Sequence, residues 1–222
     1  MKKKIVGMAS LPDRLDCVEQ VIHSLYDQVD KLVLGLNNYT EIPSFLKLKK
    51  IEAFLLDNSL GDAAKFYKVD EYKNDYYFAC DDDIIYPNNY CEVLIEKSKQ
   101  HNAIVGVHGV QLIKPVSSYY KNRKVFHCLH PLENDIQVDL LGSGACLIDT
   151  SLLNISVNDF KIPNMADIWL GDLCNSQNVK SVVIQRGDKW LKYCSEMDDK
   201  WTIYDEFKNK KDDIQTNIVS KW

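Results

Sequence analysis

The chain has 222 residues, 45% of them hydrophobic and 27% charged, with a formal net charge of −5 at pH 7. That balance describes one globular domain with core enough to bury, and it excludes a disordered or strongly basic protein. Its lysines are dispersed, with no basic stripe interleaved with aromatics, so nucleic acid is excluded as a main partner.

In chain order, the basic residues Met1 to Lys4 precede an apolar run of only one strand's length, too short for a signal-peptide core or a membrane span. A cytoplasmic protein is expected, with at most peripheral contact at the inner face of a membrane. Residues 5–9 predict a buried strand, and Leu15, Val18, Ile22 and Leu25 recur at helical spacing. Strands are predicted over 31–36, closing at Asn37 and Asn38, and over 51–56; a helix through Ala63, Lys65 and Tyr67 leads to a strand at 76–80. A helix over 88–100 and a strand over 103–107 follow, then a polar segment, 115–124, with the composition of a mobile loop. Strand-like runs at 136–141 and 145–148 flank Gly142-Ser143-Gly144, a helix starts near Asn164 and runs through Ile168, Leu170 and Leu173, and a last strand covers 181–184. The alternation predicts a single α/β domain over 1–207, with a mixed, mostly parallel central sheet flanked by helices, and a charged, partly ordered tail over 208–222. The seven cysteines are odd in number and lack a Cys-x-x-Cys pair, so reduced, buried thiols are expected.

Asp81, Asp82 and Asp83 close the strand at 76–80. At an effective dielectric near 20, two unit charges about 4 Å apart repel by about 4 kcal/mol, so three carboxylates together call for a cation. Mg²⁺-like ions take one or two protein carboxylates and complete their shell with water and phosphate oxygens, which suits a diphosphate-bearing substrate. The alternative is a solvated acidic turn leading into the helix after Pro87.

Three further groups fall at strand ends, where open α/β sheets bind ligands: residues 10–14, Asn37 and the turn at His108. Each also has a structural explanation, as a helix start, a turn residue and a packed histidine respectively. Gly142 and Gly144 would let backbone approach a sugar or phosphate closely, or else would make a hairpin turn. Asp167 is either a second carboxylate at the reacting centre or the third residue of a capping box begun by Asn164.

Taken together, these residues resemble the GT-A class of nucleotide-sugar glycosyltransferases, above all the bacterial capsular α-N-acetylglucosaminyltransferases of heparosan synthesis, and more faintly the exostosin-like animal enzymes. The matching stretches are Ser-Leu-Pro-Asp-Arg at 10–14, Gln-Val-Asp-Lys at 28–31, Leu-Asn at 36–37, Asp-Asp-Asp-Ile-Ile-Tyr-Pro at 81–87, Ile-Val-Gly-Val-His-Gly at 104–109, Leu-Gly-Ser-Gly at 141–144, Ala-Asp-Ile at 166–168 and Lys-Trp-Leu at 189–191. The resemblance implies a UDP-sugar donor, a glycan acceptor, polysaccharide-synthesis partner proteins, and Mn²⁺ or Mg²⁺ on Asp83. It assigns Asp81 and Asp82 to the ribose and donor sugar, and Leu11, Pro12, Arg14 and Asn37 to the uridine. Lys65 and the Gly142, Ser143, Gly144 loop would meet the nucleotide-sugar, and Asp167 would be the catalytic carboxylate. Trp169 and Leu170 depart from the capsular enzymes, which carry more polar residues there. Two other readings remain at this level: a nucleotide-sugar-binding subunit of a transferase complex, and a phosphatase whose first Asp is the nucleophile.

Overall fold

Successive side chains of the first strand, Lys4–Ser10 (β1), point to opposite faces of a sheet, and both faces are covered. In the computed structural model, which describes residues 1–194 and 212–222, the elements after β1 are α1 (Leu15–Leu25), β2 (Lys31–Asn37), β3 (Ile51–Leu56), β4 (Tyr76–Cys80), β5 (Ile84–Ile85), α2 (Tyr90–His101), β6 (Ile104–Gly106) and β7 (Gly109–Leu112). They continue with β8 (Arg123–Phe126), β9 (Ile136–Val138), β10 (Leu140–Leu141), β11 (Ala145–Asp149), α3 (Ala166–Ser176), β12 (Ser181–Val183), β13 (Lys192–Tyr193) and, beyond the break, α4 (Asp213–Val219).

Eight strands form the central sheet in the order β3-β2-β1-β4-β11-β6-β12-β9. β1 to β4 are mutually parallel, as are β6 and β12, while β11 and β9 run antiparallel to their neighbours. The expectation of an α/β chain with a mixed, mostly parallel sheet holds. One face carries Val6, Met8, Leu34, Phe78 and Cys80 against Val18, Ile22 and Leu25 of α1 and Tyr90 and Leu94 of α2. The other carries Ile5, Val33, Tyr77 and Ile148 against Phe66 and against Ile168 and Leu170 of α3. All seven cysteines are buried, and no helix among the described residues is long and apolar enough to cross a membrane.

Several expectations need correction. The helix through Lys65 is a single 3₁₀ stretch, Gly61–Phe66. Gly142, Ser143 and Gly144 do not close a hairpin: β10 pairs with β7 in a separate sheet of order β10-β7-β8, whereas β11 lies in the central sheet, so the three residues carry the chain between sheets. The segment at 115–124 is packed rather than loose. Tyr119 is buried, the Asn122 side-chain oxygen accepts from the backbone N–H groups of Ser117 and Ser118, and the Arg123 guanidinium lies over both Tyr119 and Tyr120. Residues 208–211 of the expected tail lie outside the described residues; of the remainder, Asp213–Val219 forms α4, with Val219 fully buried and Trp222 Nε1 donating to Asp172 of α3 at 3.0 Å.

The 3₁₀ stretch lies flat on β1 and β2 because Gly7 and Gly35 have no side chains. A Cβ on Gly7 would stand 2.1 Å from the Lys65 carbonyl oxygen and 2.2 Å from the Tyr77 hydroxyl, and one on Gly35 2.9 Å from Ala64. Tyr77 fixes the seat by donating its hydroxyl proton to the Lys65 carbonyl at 2.6 Å. Gly7→Ala should therefore cost at least about 1–3 kcal/mol by urea denaturation, since rigid backbone must move. Gly187→Ala, with nothing within 4 Å of the new methyl, should stay within about 0.5 kcal/mol. Equal effects of the two substitutions would overturn this account of the seat.

Candidate functional site

The chain runs from β1 through β2 to β3 in one direction along the sheet and then resumes on the other side of β1 with β4. The carboxyl ends of β1 and β4 thus flank the topological switch point, where such sheets leave a crevice for ligands. Arg14 follows β1 and the acidic triad follows β4. Arg14 Nη1 donates to Asp82 at 3.0 Å and to Asp83 at 3.1 Å, so one guanidinium ties two of the three carboxylates to the turn Pro12–Arg14. That turn is closed by the Arg14 N–H on the Leu11 carbonyl at 3.0 Å, and the same carbonyl accepts from the Tyr39 hydroxyl at 3.0 Å. Leu11 and Pro12 hence form a rim beside Asp82, with Tyr39 facing them.

Lys65, 3% exposed, forms an ion pair with Asp81 and reaches the Ser143 carbonyl at 3.5 Å. Ser143 donates its backbone N–H to Asp167 Oδ1 at 2.7 Å. Gly144 is needed for close approach: a Cβ there would lie 1.9 Å from Asp81 Oδ2. Tyr86 locks the corner from behind, its hydroxyl accepting from Asp81 N–H at 2.9 Å and donating to the Gly144 carbonyl at 2.5 Å. The pairing of β13 with β5 and the Cys194 N–H on the Asp83 carbonyl at 2.8 Å hold the far side of the triad's turn.

Asp167 does not cap its own helix through a box with Asn164. The residue before α3 is Met165, and the Asn164 side-chain oxygen accepts from Asp62 N–H at 3.2 Å. The Ala166 N–H at the helix start is taken instead by Asp62 Oδ2 at 3.1 Å, a carboxylate delivered from another element to the positive end of the helix. That frees Asp167 for the Ser143 backbone and the space beyond it. Trp169 and Leu170 are buried in the core and do not front the site. Asn37 is also buried: its Nδ2 donates to the Gly61 carbonyl at 3.0 Å, and its Oδ1 is enclosed without a hydrogen-bond partner. Gly142 donates its N–H to the His108 carbonyl at 3.0 Å, which sets that histidine next to the loop.

Electrostatics explain how five carboxylates, Asp62, Asp81, Asp82, Asp83 and Asp167, sit around the side-chain cations Arg14 and Lys65 among the described residues. Burial together with Asp81 and Asp82 pushes Asp83 up to about 7, against the pull of Arg14 and Lys65. Burial also raises Asp82, opposed by Arg14. For Lys65 burial works against the charge, but Asp81 and Asp62 overcome it and its pKa ends raised. His108 is held down at about 4, by burial first and by His127, Arg123 and Arg186 beyond that, so its ring is neutral at pH 7. A proton-hungry Asp83 among oxygen donors marks a shortage of positive charge, and hard carboxylate oxygens suit Mg²⁺ or Mn²⁺.

The structure thus joins Arg14, Lys65, Asp81, Asp82, Asp83, Ser143, Gly144 and Asp167 in one hydrogen-bonded set, with Leu11 and Pro12 on its rim, Gly142 behind it and Asn37 beneath Gly61. Tyr39, Asp62 and Tyr86 were not singled out from the sequence. The signal for Asp62 was its place three residues before Lys65, and that for Tyr86 was the aromatic in Ile-Ile-Tyr-Pro.

Burial pushes Asp62 up to about 6 from its ordinary 3.8, with Asp167 and Asp81 adding to the rise against Lys65. Between these pH values the native chain binds more protons than the unfolded chain at this residue, so its contribution to stability falls as pH rises. Asp62→Asn removes that dependence. Its stability relative to the parent, read by urea denaturation, should climb from about pH 4 to about pH 6 and then level off. A flat difference across that window would show that Asp62 is not pushed up.

No protein-family model matches the chain and no similar curated protein was found, which leaves the chemistry of these side chains as the ground for a functional assignment.

Proposed function

We propose that the chain is a metal-dependent glycosyltransferase of the GT-A type, moving a sugar from a UDP-sugar donor to a hydroxyl of a growing glycan such as a capsular polysaccharide. N-acetylglucosamine is the sugar that its motifs favour. The observation that carries this reading is the meeting of the acidic triad with Arg14 and Lys65 at the β1/β4 switch point, joined through Ser143 to Asp167. A divalent cation brought to this crevice with a nucleotide diphosphate would find carboxylates already arranged to hold it.

Bound at Asp83, Mn²⁺ or Mg²⁺ would act as Lewis acid and template for the departing UDP. Arg14 holds Asp82 and Asp83 in fixed orientation, so little reorganisation is needed when the donor arrives. Lys65 places Asp81 and, through the Ser143 carbonyl, the adjoining loop. The bare backbone at Gly142 and Gly144 lets His108 and Asp81 close onto the loop, which brings its main chain to the edge of the carboxylates. Asp167, oriented by the Ser143 N–H, either takes the proton of the acceptor hydroxyl or stabilises positive charge at the anomeric carbon, according to the stereochemistry of transfer.

A panel of UDP-N-acetylglucosamine, UDP-glucose, UDP-galactose and UDP-glucuronate with Mn²⁺ tests the reading, scored by protection against thermal unfolding and by donor hydrolysis. One donor should stand out on both measures. Asp167→Asn should lower turnover by about 10²–10⁴-fold with UDP binding nearly intact. Asp83→Ala should abolish metal-dependent transfer, and full metal-dependent transfer by that variant would overturn the metal assignment. Tight donor binding with neither transfer nor hydrolysis would instead favour a binding subunit, and hydrolysis of simple phosphate esters a phosphatase.

A further inference from the structure

Beside the carboxylates the fold gathers a second set of ligating atoms of different chemistry. His108, in the turn between β6 and β7, and His127 and Cys128, just after β8, offer two imidazole nitrogens and a thiol sulfur that all lie within 4.8 Å of one another. Cys128 Sγ is 4.0 Å from His127 Nδ1. On a tetrahedral ion with bonds of about 2.0 Å to nitrogen and about 2.3 Å to sulfur, ligand atoms stand roughly 3.3–3.6 Å apart, so small side-chain rotations close the set. The Leu129 N–H donates to the same His127 nitrogen at 3.3 Å, which keeps it in the lone-pair form that a metal requires and would displace.

The backbone around these side chains is pinned. The His127 carbonyl accepts from Arg186 Nη2 at 2.7 Å and from His130 N–H at 3.0 Å. Arg186 is in turn paired through its main chain with Leu132. The His108 carbonyl holds the Gly142 N–H. The two rings meet edge to face, with centroids 5.4 Å apart and planes at 76°, and Cys128 is buried beside them. Arg123 and Arg186 are adverse charges nearby, and a Cys128 thiolate would offset part of them.

The geometry points to a binding site for a single borderline-soft divalent ion, Zn²⁺ or Co²⁺, held by His108, His127 and Cys128 with a fourth position open to water or a substrate oxygen. Two imidazoles and a thiolate select against Mg²⁺ and Mn²⁺, which the all-oxygen triad prefers, so the two sites sort cations by softness. An ion there clamps the segment after β8 to the turn carrying His108 and, through the Gly142 N–H, to the loop that orients Asp167. The site needs only these three side chains and does not depend on the glycosyltransferase reading.

Metal-stripped protein titrated with Co²⁺ tests it directly. One equivalent should bind with the intense visible bands of a tetrahedral ion and a thiolate-to-cobalt charge-transfer band, and Zn²⁺ should bleach both. Cys128→Ser should lose the charge-transfer band, His108→Asn should weaken binding by roughly tenfold or more, and Asp83→Asn should keep the wild-type spectrum. Circular dichroism confirms that each variant is folded. If Cys128→Ser fails to fold, the wild-type band and the His108→Asn titration still decide the question. A wild-type protein that shows no charge-transfer band, or binding indifferent to His108→Asn but lost with Asp83→Asn, overturns the proposal.

Discussion

An ammonium group shut away from water has to be surrounded by acceptors, and the Lys65 side chain is shut away almost completely. Its partner Asp81 stands at the end of β4, its backbone rests on Gly7 and Gly35, and its own carbonyl is taken by Tyr77. The requirement therefore reaches in three directions at once. It keeps two sheet positions bare, it draws the Gly142 to Gly144 passage down onto Asp81, and it places Asp62 where it can hold the start of α3. Few of these contacts could shift without exposing the others.

Around that pair, carboxylates outnumber cations among the described residues. Arg14 and Lys65 are both engaged, yet Asp83 still holds its proton far more tightly than a free carboxylate does. Stability alone would favour fewer acids here, since replacing ionic groups by packed apolar ones is often neutral or better. A cluster retained at the switch point of the sheet, beside bare glycine backbone, has the character of a site prepared for a charged ligand.

Much of this was legible in the sequence wherever the signal is local. The strands at 5–9, 31–36, 51–56 and 76–80 lie within a residue or two of β1 to β4, because continuous apolar runs bounded by turn residues are what a doubly covered parallel sheet demands. The triad and Arg14 could be chosen because they follow the ends of such runs, Asp167 because it stands at the start of a helix, whereas Lys65 was picked out by the resemblance alone. Less legible was everything decided by distant partners. Gly142-Ser143-Gly144 has the composition of a hairpin turn, and only the pairing of β10 with β7 makes it a passage between sheets. Asn164 has the form of a cap, but Asp62 takes that duty. The segment at 115–124 has a loop's composition, yet Thr216 accepts the Tyr119 N–H and Asp212 that of Tyr120, from nearly a hundred residues away.

The bond from Ala166 to Asp62 joins residues 104 apart, whereas Lys65 and Asp81 are separated by 16. Loop-closure entropy makes the shorter link the easier one to form early, and the longer one must wait for most of the chain. Both partners of the ion pair leave the ribosome long before the carboxylate on α3, so the complete constellation requires nearly the whole domain to have been made.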